Sequence, residues 1–444
     1  MASSSTGPSI PIIFSTQTPY PLPSQKFMLP ASWKRYHLSQ LINKALSLVK
    51  PVPFDFIVKG EILRTSLAEW CSENGVGEEE TLEVEYIESV MPPQKMSDLP
   101  HEDWVSSVSC RLPGYFFTAS YDGYVRAFDY SKKQTFNAQI HSAPITSMCF
   151  VSSDEDNNEE STHLLATSSL DLSAQISKVT LASDPSKKSK SQVLATLHLH
   201  TGPVSSVASN PSGSHLLTSS WDSLIGLWDT SIPSSDEVPE PSITDRERKK
   251  RRKLNGDEKD VDKPKRKAPL MVLKSHTARV SRVVYGTEGD DKLAYSCGFD
   301  STVRIWDVEN GICSHTITAS EKPFLDIALA ADGHTALAAS TDRTITLYDV
   351  RESSGASTTS SGSLLHPATP SCIVSGTTAN QVVSGAYDGI VRLWDLRSQK
   401  SAMAHFKAWD GRKKVLGVDW KRGMVGVGGE GGLEVWKAVE DVRT

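Results

Sequence analysis

One nine-residue pattern recurs seven times in this chain of 444 residues, and it limits the fold more than any other feature. It reads YDGYVRAFD (121–129), LDLSAQISK (170–178), WDSLIGLWD (221–229) and FDSTVRIWD (299–307), then TDRTITLYD (341–349), YDGIVRLWD (387–395) and GEGGLEVWK (429–437). Each copy opens on an acidic or glycine turn and runs on as an alternating strand. Five copies close on an aromatic residue followed by Asp. Several are preceded by a His and a second short strand, as in HSAPITSMCF (141–150), HTGPVSSVAS (200–209) and HTARVSRVVY (276–285). A unit of this length cannot bury its own faces, so seven of them must stack. The turns lie 42 to 51 residues apart, except that 78 residues separate Asp222 from Asp300. An insertion of about 30 residues therefore sits between the third and fourth units.

The whole pattern resembles the WD-repeat family. The resemblance implies a mainly β fold, a seven-bladed propeller over residues 101–444 with a disordered basic insertion at about 231–268. Within it, His200, Asp222 and Trp228 of one unit match His276, Asp300 and Trp306 of the next, and Asp388 and Trp394 recur later. With Ser220 and Ser296 these residues read as hydrogen-bonded ties between blade turns. A Ser–His–Asp catalytic set would occur once and carry an oxyanion hole. No GxSxG, phosphate-binding loop or HExxH occurs either, so no enzyme activity, cofactor or resident metal is expected. The six cysteines form no CxxC pair, which fits a reducing compartment. No apolar run approaches the ~20 residues that cross a bilayer, and the N-terminus lacks the pattern of a secretory signal.

Residues 10–90 follow a different grammar. IPIIFST (10–16) and KFMLPAS (26–32) read as strands, and HLSQLINKALSLV (37–49) has the apolar spacing of an amphipathic helix. KPVPFDFIVKGEILRTSL (50–67) reads as two strands around Lys59-Gly60, LAEWCSEN (67–74) as a helical turn and LEVEYIESV (82–90) as a closing strand. That order predicts a ubiquitin-like β-grasp, after a disordered segment 1–9 and before a proline-bearing linker 91–100. Only KAVEDVRT follows the last clear strand of the seventh unit, so residues 92–100 are candidates for its missing edge.

WKRYHLSQLINKAL and PVPFDFIVKGEILRTSL resemble the ubiquitin-like domain that heads two eukaryotic ribosome-assembly WD-repeat families. One is Notchless, with eight propeller repeats. The other is the WD-repeat subunit of the PeBoW complex, favoured by seven repeats and by the wording MPPQKMSDLPHEDWVSSVS (91–109). The resemblance implies a non-enzymatic factor in maturation of the large ribosomal subunit and in pre-rRNA processing. It implies residence in the nucleus, nucleolus and nucleoplasm. The implied partners are the block-of-proliferation protein, which docks propeller to propeller, Pescadillo in the same complex, the midasin ATPase and the pre-60S particle. Midasin would grip the ubiquitin-like domain through an adhesion site whose Mg²⁺ leaves one position for a carboxylate. The turn Glu78, Glu79, Glu80 supplies candidates, and Glu79 matches the metal-completing Glu best. Read without the family, the same three residues are an ordinary solvated turn.

Net charge is −6, unevenly spread. Residues 246–267 hold twelve Lys or Arg and five acids, leaving −13 for the rest of the chain. Two clusters stand out, Arg248, Lys249, Lys250, Arg251, Arg252 and Lys253, then Lys263, Lys265, Arg266 and Lys267. They have the form of a bipartite nuclear import signal. Contact with rRNA phosphates is a rival role for them, and a solvated loop is the plain one. The acidic body argues against a ring-wide nucleic-acid surface. Arg412, Lys413 and Lys414 are surface candidates for the partner interface. A ubiquitin-ligase substrate receptor is the reading from another functional class.

Overall fold

The computed structural model describes residues 8–438 except 49, 78, 91, 152–160, 183–188, 240–262, 288–290, 319–320, 352–359 and 377–379. The chain divides into two compact units, one of Met1–Pro92 with Arg392–His405 and one of Pro93–Val391 with Phe406–Thr444. The N-terminal unit runs β1 (Ser9–Ser15), β2 (Lys26–Pro30), α1 (Arg35–Ala45), β3 (Phe54–Val58), β4 (Glu61–Ile62), α2 (Leu67–Asn74) and β5 (Leu82–Glu88). Its sheet has the order β2-β1-β5-β3-β4, with β1 and β5 parallel at the centre. This is the expected β-grasp arrangement. Alternation along β1, β3 and β5 buries Ile10, Ile12, Phe14, Phe54, Phe56, Val84 and Tyr86 on one face, against Leu38 and Ile42 of α1.

The ends of the elements have local causes. Helix α1 stops at Ala45, four residues short of the expected end. The Asn43 side chain reaches Val52 through both amide groups at 2.7 Å, and Ser47 turns into the left-handed region at φ 50°. Helix α2 starts on a capping box: Ser66 Oγ accepts the Glu69 amide at 3.3 Å, and the Glu69 carboxylate accepts the Ser66 amide at 2.9 Å. It stops at Gly75, whose φ of 65° suits a residue without Cβ. Ser9 is already in β1, so the expected disordered segment does not extend to residue 9; residues 1–7 lie outside the described residues.

The second unit holds the ring of seven sheets in sequence order, apart from the sixth-blade residues Arg392–His405. Four of them are four-stranded antiparallel meanders of consecutive strands, and the third blade skips Lys265–Lys267 to take Met271–Lys274 as its fourth strand. Their apolar faces meet between neighbours: Leu217, Ile225 and Leu227 of the third blade share one core with Val280, Val283 and Trp306 of the fourth.

The other two sheets depart further from the plain meander, and both correct an expected boundary. In the seventh blade, Val415–Lys421, Met424–Gly429 and Gly432–Lys437 are completed by β6 (Gln94–Leu99), antiparallel to the last of them with Leu99 opposite Leu433. Most of the expected linker 91–100 is therefore a ring strand, because the seventh sheet would otherwise present an open edge. In the second blade, Lys265–Lys267 adds a fifth strand parallel to Lys190–Leu197, with Ala195 opposite Lys265. The C-terminal end of the basic insertion is thus ordered sheet, against the expected disorder of 231–268.

Candidate functional sites in the acidic turn and the blade turns

The acidic turn leaves α2 through Gly75 and Val76, and the Glu80 amide donates to the Gly77 carbonyl at 3.1 Å. That bond closes a four-residue turn with Glu79 near its tip. Leu82 follows at once, buried and paired with Ile12, so the turn projects from a fixed strand. Glu79 and Glu80 are both exposed. Glu80 faces Lys59 at 3.3 Å, across the β3–β4 turn. Lys59 is remote in sequence and close in space, so Glu80 has a cation beside it. With both side chains more than half exposed, the pair contributes at most about 1 kcal/mol. Among the described residues Glu79 has no hydrogen-bond or ion-pair partner. Glu78 lies outside them.

The blade ties are present, with one substitution of roles. In the fourth blade His276 Nδ1 meets Asp300 at 2.8 Å, His276 Nε2 meets Ser296 Oγ at 2.7 Å, and Trp306 Nε1 donates to the same hydroxyl at 2.8 Å. In the third blade His200 meets Asp222 at 3.1 Å, but its Nε2 meets Thr218 Oγ1 at 2.8 Å, not Ser220. Trp228 Nε1 donates to Thr218 at 2.9 Å. Ser220 instead donates to the Gly202 carbonyl at 3.0 Å. The indole N–H can only donate, so the hydroxyl proton points at His Nε2 and the His Nδ1–H at the carboxylate. These hydroxyls are buried, and each already accepts from Trp and donates to His. None is poised as a nucleophile. In the sixth blade Asp388 accepts the Ile390 amide at 3.0 Å, and Trp394 is buried.

The same contacts set the carboxyl acidity. Burial pushes Asp222 up, but the His200 ring and the Leu224 and Thr201 amides outweigh it and hold the carboxyl down to about 2. Asp300 is depressed likewise, burial being outweighed by His276, Thr302 and the Thr277 amide.

Of the basic clusters, Arg248 to Lys253 lie outside the described residues, Lys263 is exposed, and Lys265 to Lys267 form the fifth strand described above. Lys267 is 1% exposed; its ammonium meets Asp229 at 2.6 Å and donates to the Ser231 carbonyl. The Arg266 amide donates to Asp236 at 2.9 Å. A buried, paired lysine has no free charge to offer a receptor, so Lys267 is a structural residue. Arg412, Lys413 and Lys414 are exposed, and Lys414 pairs with Glu430 at 3.4 Å.

One group of residues went unread in the sequence. The first position of the nine-residue pattern is Tyr121, Leu170, Trp221, Phe299, Thr341, Tyr387 and Gly429. It precedes the turn Asp and holds an aromatic residue in four copies, and Trp221 and Tyr387 are well exposed. The signal was in the repeat itself, at a position where a strand core needs nothing apolar.

The family model described as the NLE (NUC135) domain matches residues 10–71, and that of the WD domain, G-beta repeat, matches 191–229, 267–307, 311–349 and 361–395. The protein named ribosome biogenesis protein YTM1 from Laccaria bicolor is 62% identical over 440 residues, covering 98% of this chain and 96% of its own. Its namesake from Coprinopsis cinerea is 63% identical over 433 residues, covering 96% and 94%. That from Saccharomyces cerevisiae strain S288c is 32% identical over 431 residues, covering 92% of each chain. With both domains matched in order and relatives aligned along nearly their whole length, this chain belongs to the YTM1 family of ribosome biogenesis proteins.

Proposed function

We propose that this protein is a non-enzymatic assembly factor of the large ribosomal subunit, in which a stably docked ring carries a separately folded handle for removal. The near full-length identity to proteins named for ribosome biogenesis carries the general role. The finer reading is that of the PeBoW WD-repeat subunit. The ring docks on the propeller of the block-of-proliferation protein, with Pescadillo in the same complex, and supports pre-rRNA processing on the pre-60S particle in the nucleolus and nucleoplasm. A ring of seven sheets supports this over a Notchless-like factor with eight.

The handle is the β-grasp unit, and its working residue is Glu79. A Mg²⁺ ion held by midasin wants hard oxygen ligands in octahedral geometry. An exposed carboxylate at a turn tip, with no partner among the described residues, is free to supply one. Glu80, already facing Lys59, contributes attraction at longer range and is the weaker candidate ligand. The cellular test is replacement of the protein by its Glu79→Ala variant. The variant should join pre-60S particles and then accumulate on them. Normal release of the variant would remove Glu79 from this role, and failure of the wild-type protein to co-purify with pre-60S factors would overturn the whole reading.

A further inference from the structure

The turn aspartates of the second, third and fourth blades share one end of the ring with three side chains the blade ties do not use. Trp221 is 47% exposed and Leu172 is 43% exposed, each in a turn built around a tied Asp. Arg279 leads into the innermost strand of the fourth blade, and its backbone carbonyl accepts the Phe299 amide at 2.9 Å. That bond places the guanidinium 3.3 Å from the Phe299 ring centroid and 5.1 Å from that of Trp221. The cation is thus held between two aromatic faces, an arrangement favoured by the ring quadrupoles.

What the guanidinium lacks is a counter-charge. Asp222 and Asp300 are the nearest turn carboxylates in sequence, and both are committed to His200 and His276. Among the described residues no carboxylate pairs with Arg279 and no acceptor takes its side-chain N–H groups. Partial burial without a compensating anion makes the charged form costlier, which lowers its proton affinity. The other exposed aromatic group on these turns differs on this point. Lys414 lies 5.8 Å from the Trp104 ring and 6.0 Å from that of Tyr387, but Glu430 already neutralises it.

We propose that Trp221, Arg279 and Phe299 are the anchor of the ring's docking face, and that the occupant is a protein loop presenting an Asp or Glu carboxylate to Arg279 and an apolar residue to the Trp221 indole. Aromatic residues and Arg are the side chains that dominate protein interfaces, and a guanidinium fixed between rings loses little freedom when a carboxylate arrives. A nucleic-acid strand fits the site less well. Phosphate binding gains by neutralising several charges, and here one unpaired cation stands between two blade turns that each carry an ionised Asp. The inference rests on the propeller-to-propeller docking proposed above and names the face that performs it.

The test titrates the full-length chain against the isolated propeller of the block-of-proliferation protein. Arg279→Glu and Trp221→Ala should each weaken binding at least about tenfold, with Arg279→Gln between Arg279→Glu and wild type. Their thermal unfolding should match wild type, since Trp221 is half exposed and no described residue is bonded to the Arg279 side chain. A partner Asp or Glu changed to Arg should restore binding to Arg279→Glu. Wild-type affinity in all three variants would overturn the assignment of this face while leaving the docking reading intact. No binding by the wild-type chain would overturn both. Unchanged protein binding with loss of affinity for a single-stranded RNA oligonucleotide in Arg279→Glu would overturn it in favour of RNA.

Discussion

At the scale of single residues, Thr218 shows how little freedom a blade tie leaves. Its hydroxyl serves His200 and Trp228 at once, and Gly226 stands opposite it in the sheet. A Cβ at Gly226 would lie 2.9 Å from Thr218 Oγ1 and 2.8 Å from Trp228 Nε1, so glycine there is what lets the indole reach the hydroxyl. Thr218→Val keeps the shape and strands two buried polar groups. It should cost about 1–3 kcal/mol in urea unfolding. The paired aspartates add a pH dependence. The Asp222 carboxyl is held below its unfolded value near 4, so its contribution is present above that value and disappears as pH falls through about 2. Asp222→Asn should therefore flatten the loss of stability between about pH 4 and 2. Asp326 and Asp419, pushed up by burial, act in the opposite direction in both proteins, so the difference between the two curves isolates Asp222. This tie was partly legible in the sequence. His, Asp and Trp were visible from recurrence, whereas two hydroxyls two residues apart face the same side of a strand and look alike. Counting four residues back from the turn Asp separates them: it gives Thr218 and Ser296, and Thr167 in the second blade, where it meets His141 at 2.9 Å.

At the scale of elements, the ring depends on strands borrowed from outside their own repeat. Glu434, fully buried, holds the closure of the seventh blade. It takes the Lys95 ammonium at 2.5 Å, the Trp409 amide at 3.1 Å and the Trp436 indole N–H at 3.0 Å. Glu434→Ala should destabilise the ring by about 2–4 kcal/mol, because it leaves those donors unpaired in a packed sheet. Lys95→Ala should cost less than Glu434→Ala, since the buried carboxylate loses its cation but keeps the Trp409 and Trp436 donors. Denaturant unfolding of the two variants checks the order. The missing edge of the seventh blade was readable because a sheet edge demands a partner. The fifth strand of the second blade was not. KPKRK has the charge of a solvated tail, and only Asp229 and the Ser231 carbonyl, distant in sequence, make burial of Lys267 tolerable. The two basic clusters should accordingly separate in experiment. Replacing Arg248 to Lys253 with Ala should reduce nuclear import and leave unfolding unchanged, whereas Lys267→Ala should lower stability and leave import intact. Fluorescence localisation and thermal unfolding read the two arms.

At the scale of the whole molecule, the chain forms two compact units, and the proposed function gives each its own task. The β-grasp unit has its own cluster around Phe14, Phe54 and Tyr86, and the ring is cored between neighbouring blades. Fold class and domain order were legible because both follow from repetition and period, which survive without knowing any contact. The state of the acidic turn was not. Lys59 lies 21 residues from Glu80, and the hairpin between β3 and β4 brings them together, which is why Glu79 and Glu80, alike in sequence, prove unequal. The most direct measurement is a titration of the full-length protein against the midasin adhesion domain, with Mg²⁺ and with EDTA, for wild type and Glu79→Ala. Binding that disappears both on chelation and on loss of the Glu79 carboxylate, with the unfolding midpoint unchanged, is the predicted result. Tight binding indifferent to metal and to Glu79 would contradict the account and return the acidic turn to an ordinary solvated one.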